Sequence, residues 1–208
     1  MLNFKSIEDA DVHTQPFRFL QAAGAVTQDQ AADVRKDYPG INRPGFFPLA
    51  SLDARGAFAE LIEDLQSDRL AAVLGQHLDL DLVSKPRMIT VRKLSQKSDG
   101  RIHNDSQSKI CTMLIYLNEK WSSSEGAVRA LNGDADMDDF ALEVAPTAGN
   151  VFAFARSDNS WHGHPPFAGD RYVVQTTYLV SDEALRRKEK TGGWQQILKN
   201  VNPFAKNA

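Results

Sequence analysis

The sequence predicts a mainly β protein with flanking helices, an α+β chain in which a sandwich or jelly roll is backed by helices. Three observations predict it. Six short segments between Lys85 and Val180 are β-branched and aromatic and are separated by turn residues. The first third instead carries helical spacing. At 208 residues the chain is long enough for one well-filled core and short for two. The expected organisation is a single domain: 1–84 as helical and loop support, 85–180 as the β core, and 181–208 as a helical tail.

The segment "TQDQAADVRKDY" (27–38) has a Thr start and helical spacing. "PGINRPGFFPL" (39–49) carries three prolines and two glycines and is predicted to be irregular. "SLDARGAFAELIEDLQSDRLAAVLGQHL" (51–78) holds two helices, with Phe58, Leu61, Ile62 and Leu65 on one face of the first and Leu70, Val73 and Leu74 on one face of the second. The six strands are "RMITVRKL" (87–94), "KICTMLIYLN" (109–118), "GAVRAL" (126–131), "FALEVAP" (140–146), "NVFAFAR" (150–156) and "RYVVQTTYLV" (171–180). Both alternating sets of 109–118 are apolar, so that strand is expected to be covered on both sides. In the tail, Trp194, Ile197, Leu198 and Val201 follow i, i+3, i+4, i+7 spacing. This predicts a helix packed on the sandwich, with a homodimer contact or a membrane-surface helix as alternatives.

Composition excludes several classes. A net charge of −3 gives no basic face for nucleic acid. The tail's charge of +3 leaves −6 for the rest. One cysteine, Cys111, excludes an internal disulfide and a CxxC metal cluster, and its apolar setting predicts a buried, inert thiol. No apolar stretch approaches the roughly 20 residues needed to span a bilayer, so no stable membrane insertion is expected. "MLNFKSIEDADVHTQ" lacks a basic n-region and an apolar h-region, which places the protein in the cytoplasm.

The chemistry rests on five histidines. His13 and His77, in a polar stretch and at a helix end, receive no function. His103 and Asp105 lie just before an apolar run, in "RIHNDSQSKICTMLIYLNEKW" (101–121), where a polar pair needs partners. A surface His–Asp hydrogen bond would explain the pair, and so would a metal ion. The stretch "SDNSWHGHPPFAGDRYVVQ" (157–175) favours the metal. His162 and His164 arrive at a strand end, and either can face an ion shared with His103 and Asp105. Two imidazoles and one carboxylate suit ferrous iron with adjacent positions open, and the absence of thiolates argues against structural zinc. Arg171 opens an apolar strand, where it is costly to bury without an anion. A dicarboxylate co-substrate would supply one through two parallel charge-assisted hydrogen bonds. An exposed arginine paired with Asp170 is the alternative.

The segment from about Arg87 to Val180 resembles the catalytic core of Fe(II)- and 2-oxoglutarate-dependent dioxygenases, in the prolyl 4-hydroxylase-like branch. The resemblance lies in "IHNDSQSKICTMLIYLNEKW", "EGAVRAL", "LEVAPTAGNVFAF" and "SWHGHPPFAGDR", in that order. It implies a double-stranded β-helix, the cupin-like jelly roll, with iron near one mouth. His103 and Asp105 match the first two iron ligands and His162 the third. Arg171, nine residues after His162, matches the basic residue that holds the distal carboxylate of 2-oxoglutarate. Tyr116 matches a tyrosine that hydrogen-bonds the same carboxylate, and Thr112, Leu114 and Tyr116 share a strand face that can turn inward. One departure is Val173, where many relatives carry Ser or Thr two residues after the arginine. The contact to the iron-side carboxylate is left open; Arg92 and Lys93 are near in sequence only.

The function implied is oxidation of an unactivated C–H bond by Fe(II), 2-oxoglutarate and O₂, with release of succinate and CO₂. The substrate is either a small molecule or a peptidyl group, because function belongs to the site and not to the fold. "PGINRPGFFPL" and "SSSEG" (122–126) are the candidate specificity elements. Two alternatives are a cupin-like binding module and a metal enzyme that uses no 2-oxo acid. "DADMDDF" (134–140) is rejected as a calcium loop because Asp139 stands at the glycine position and Ala145 at the closing Glu position. Histidine ligation leads one to expect metal affinity to fall as pH drops toward the ordinary imidazole value of about 6.5.

Overall fold

Hydrophobic pattern and capping chemistry set the helices. The computed structural model describes residues 1–190, so the tail residues Trp194, Ile197, Leu198 and Val201, and with them the packed helix predicted there and its alternatives, a homodimer contact or a membrane-surface helix, lie outside the described residues. A short α1 (Phe4–Glu8) is followed by α2 (Gln28–Lys36). Thr27 caps α2 by accepting from Gln30 N–H, while the Gln30 side chain accepts from Thr27 N–H. Next come α3 (Gly56–Gln66) and α4 (Asp68–Leu78), the latter capped by Ser67 accepting from Leu70 N–H. Phe58, Leu61, Ile62, Leu65, Leu70 and Leu74 are all buried as the spacing predicts, and Val73 packs against them half-buried. Each such side chain contributes about 1.5–3 kcal/mol by leaving water. Residues 182–190 are helical as well.

Among the described residues, ten strands form two antiparallel sheets. The larger sheet has the order β1 (Asp11–His13), β2 (Phe19–Ala22), β8 (Val151–Ala155), β5 (Lys109–Tyr116), β10 (Gly169–Leu179), β4 (Arg87–Ser95), β3 (Phe47–Pro48). The smaller has the order β7 (Phe140–Val144), β6 (Val128–Leu131), β9 (His162–Gly163). All six predicted strands are present. The reading of the first third as helix and loop is incomplete, because β1, β2 and β3 extend the larger sheet on both edges. These strands are two to four residues long, too short for alternation to announce them.

β5 is buried on both faces, and the two faces do different work. Cys111, Met113 and Ile115 join α3 and α4 in the outer core. Leu114 and Tyr116 point the other way and pack with Phe152, Phe154 and Val173, and with Val128 and Val144 of the smaller sheet. The helices therefore brace the outer face, while the inner face is open to line a cavity between the sheets. The turn that closes β5 onto β8 depends on Gly149, whose φ is +84° and whose added Cβ would lie 2.5 Å from the Val26 carbonyl oxygen. Its N–H donates to Tyr116 O at 3.0 Å and its carbonyl accepts from Ala25 N–H at 3.0 Å.

Gly149→Ala is therefore expected to lower unfolding stability by about 2 kcal/mol or more. Urea denaturation checks this, and an unchanged midpoint would contradict it.

Candidate active site

Two distant segments are stitched together by backbone hydrogen bonds, with a bridge between His103 and His162 at the centre. His103 N–H donates to His162 O, and His162 N–H donates to His103 O, both at 3.0 Å. The bridge brings the two imidazoles together, tilted by 55° with centroids 4.2 Å apart. Nδ1 of His103 lies 2.9 Å from Arg101 O, and Nδ1 of His162 lies 2.9 Å from Ser160 O. Only an N–H hydrogen-bonds a carbonyl, so Nε2 of each ring is the nitrogen left to ligate. Ser160 is fixed by donating to Asn104 Oδ1 at 2.7 Å, and Asn104 donates to Ser157 O at 2.8 Å.

Asp105 completes the group. Its Oδ1 accepts from Lys109 Nζ at 2.6 Å and its Oδ2 from Thr112 Oγ1 at 2.7 Å, while Arg156 Nε–H donates to its backbone carbonyl at 3.1 Å. One donor atom from each of His103, Asp105 and His162 lies within 4.8 Å of the others. His162 and Asp105 are buried, and His103 is exposed.

These residues line a cavity of about 390 Å³ between the sheets, together with Phe46, Arg92, Lys109, His164, Arg171 and Gln175. Arg171 is 2% exposed. Its Nε–H donates to Gly126 O at 2.8 Å and its Nη2–H to Tyr116 Oη at 3.1 Å. Both partners are neutral, and among the described residues no acid forms an ion pair with it. Arg92 enters from β4, 3.4 Å from Asp99 Oδ2, with its guanidinium 4.2 Å from the Phe46 ring centroid.

Residues 75–179 match the family described as the 2OG-Fe(II) oxygenase superfamily. The chain belongs to that superfamily. Its fold resembles a prolyl-4-hydroxylase from Pseudomonas putida, with 21% identity, a TM-score of 0.56, and coverage of 77% of this chain and 91% of the other. A prolyl 4-hydroxylase from Phytophthora capsici gives 20% identity and a TM-score of 0.54 over 77% of this chain and 58% of that one. The viral collagen prolyl hydroxylase of Paramecium Bursaria Chlorella virus-1, solved as a 2OG complex, gives 14% and 0.52, covering 78% and 96%. No curated protein matches the chain in sequence.

The double-stranded β-helix expected from the sequence is thus the fold, and the oxygenase depends on Fe(II), 2-oxoglutarate and O₂. The donor set suits the iron. Burial alone would raise the Asp105 carboxyl, but Lys109, His162 and the hydrogen bonds from Lys109 and Thr112 outweigh it and hold the group below the usual carboxylate range. Burial and the neighbouring His103 push His162 down to about 4, so its ring is neutral well below the ordinary value of about 6.5. Loss of metal near 6.5, as the unperturbed value would suggest, therefore does not originate at His162. Cys111 is fully buried and burial pushes its thiol up, as expected of an inert side chain.

The structure brings His103, Asp105, His162 and Arg171, the residues singled out in the sequence, onto one cavity. Tyr116 lies behind the guanidinium in the inner core, buried, with burial raising its hydroxyl. His164 lines the cavity but stands outside the three-residue donor group. His13 stacks on Phe19 at 4.6 Å and His77 Nε2 lies 2.9 Å from Ile7 O, which accounts for both as packing residues. Three residues were missed. Lys109 and Thr112 clamp Asp105, for which the i+4 and i+7 spacing was the only signal. Gly126 supplies the carbonyl for Arg171, and its φ of +81° against Trp121 leaves little room for a side chain.

Burial also pushes His164 down to about 4, with Arg171 adding to the effect. Between about 4 and the ordinary value of about 6.5 the unfolded chain binds protons at these two histidines that the folded chain does not. Their neutral burial is therefore free of cost above about pH 6.5, and stability falls as pH drops through that window. The metal-free protein is expected to show a thermal midpoint that declines from pH 7 to pH 5, and a shallower decline in His164→Gln. A flat midpoint would contradict the burial.

Proposed function

We propose that the protein hydroxylates an unactivated C–H bond of a small-molecule or peptidyl substrate, with 2-oxoglutarate consumed to succinate and CO₂. His103, Asp105 and His162 hold the iron in this reading, and Arg171 holds the distal carboxylate of 2-oxoglutarate. One observation carries it: the Arg171 guanidinium is buried on the same cavity as the donor group, with neutral partners only. A buried cation without an anion is costly, and a dicarboxylate offsets that cost.

Each residue then has a physical task. Gly126 O and Tyr116 Oη hold the Arg171 fork in place before the co-substrate arrives, which limits the entropy lost on binding. Tyr116 lies behind the guanidinium and off the cavity wall, so its part is to hold Arg171 in place by accepting from Nη2–H at 3.1 Å. His103 and His162 present Nε2, and their Nδ1 contacts to backbone carbonyls set ring orientation. When bound, iron supplies the activation of O₂ and the oxidising power that side chains lack. Phe46 brings the irregular 39–49 segment onto the cavity wall and, with Gln175 and His164, supports its reading as a specificity element. The structural likeness to prolyl 4-hydroxylases makes a prolyl peptide the first substrate class to test. A cupin-like binding module leaves the buried Arg171 without a purpose, and so does a metal enzyme that uses no 2-oxo acid.

Anaerobic addition of Fe(II) and then 2-oxoglutarate is expected to produce the weak visible charge-transfer band of the chelate. Arg171→Ala removes one partner of a buried charge pair, so half-saturation by 2-oxoglutarate should rise about 30-fold or more. A missing band in the wild type, or an unchanged half-saturation in the variant, would overturn the proposal. Succinate release then serves as the readout for screening substrates.

A further inference from the structure

Lys109 lies closer to the metal donors than iron-binding chemistry requires. Its ammonium is 2.6 Å from Asp105 Oδ1, with side chains 14% and 5% exposed respectively. A dication arriving at Asp105 therefore meets a cation that already holds the same carboxylate. The wider cavity adds to the conflict. Arg92 and Arg171 contribute two more positive charges, and Asp99, at Arg92, is the second carboxylate. Three cations against two anions leave the site positive before any metal enters. Iron alone raises that excess, whereas 2-oxoglutarate brings two carboxylates that reduce it.

We propose that Lys109 neutralises Asp105 in the iron-free protein and makes metal binding depend on 2-oxoglutarate. This rests on Asp105 being an iron ligand. Without metal, the ammonium stands in for the missing cation, so the buried carboxylate keeps its charge. Thr112 holds the other oxygen independently at 2.7 Å. Removing Lys109 therefore leaves the carboxylate oriented while removing the repulsion. Repulsion between a monocation and a dication on one buried carboxylate outweighs the loss of a single clamping contact. With both oxygens engaged by the protein, Asp105 is also disposed to offer iron one oxygen, which leaves positions for the co-substrate and O₂. Linkage makes the effect reciprocal: whatever 2-oxoglutarate adds to metal affinity, metal adds to 2-oxoglutarate affinity.

The test is Mn(II) binding, followed through the paramagnetic resonance signal of free Mn(II), with and without saturating 2-oxoglutarate. Lys109→Met is expected to bind Mn(II) alone about tenfold more tightly than wild type, and to show a smaller gain on adding 2-oxoglutarate. Lys109→Gln should move the same way. Lys109→Arg, which keeps the charge, should track wild type in both conditions, a rescue that mere loss of packing would not give. Asp105→Ala should bind Mn(II) poorly throughout. If Lys109→Met and Lys109→Gln match wild type or bind more weakly while Asp105→Ala loses the metal, the inference about Lys109 is overturned and the ligand reading survives. If Asp105→Ala binds as well as wild type, both are overturned.

Discussion

The site exists because two backbone hydrogen bonds join His103 to His162 across 59 residues of chain. His162 occupies β9, which pairs with β6 in the smaller sheet, while Asp105 is held by Thr112 of β5 in the larger one. The bridge is thus where the two sheets are brought to a common point. Backbone groups in such a place must be paired or solvated, and each histidine satisfies the other. Both Nδ1 atoms are then fixed by carbonyls two residues upstream, so ring orientation follows from the main chain and not from side-chain freedom.

The inner face of the larger sheet is where stability gives way to function. Its outer face packs Cys111, Met113, Ile115, Val151 and Ala153 against α3 and α4, a dry interface of ordinary core residues. Its inner face carries Arg92, Thr112, Arg171 and Gln175 beside Leu114 and Phe154. Among the described residues, the Nε atom of Arg92 and the Nε2 atom of His164 are buried without hydrogen-bond partners. Burying such groups costs free energy that a folding-only design would avoid, and violations of this kind concentrate where ligands bind. The helical layer offsets the cost by making the other face well packed.

Much of this was legible in the chain. Periodicity located α2, α3, α4 and six strands, because each is long enough for its pattern to repeat. The parity of Thr112, Leu114 and Tyr116 against Cys111, Met113 and Ile115 correctly assigned the two faces of β5. β1, β2, β3 and β9 were not legible, since two to four residues carry no period and their pairing is set by distant partners. Arg171 could be read as exposed or buried from sequence; only the folded chain puts it at 2% exposure, away from Asp170 and onto Gly126 and Tyr116. His162 and His164 share parity, and what separates them is the bridge to His103, a tertiary contact no local pattern encodes. Lys109 was hidden for the same reason: its meaning lies in the 2.6 Å to Asp105, not in its place at the start of a strand.

The most direct test is a crystal structure of the protein with Mn(II) and N-oxalylglycine, an unreactive analogue of 2-oxoglutarate. The expected map places one metal ion in coordination contact with His103 Nε2, a single Asp105 carboxylate oxygen and His162 Nε2, with the analogue's distal carboxylate on the Arg171 guanidinium. A metal bound by other residues, or an analogue whose distal carboxylate lies away from Arg171, would contradict the account.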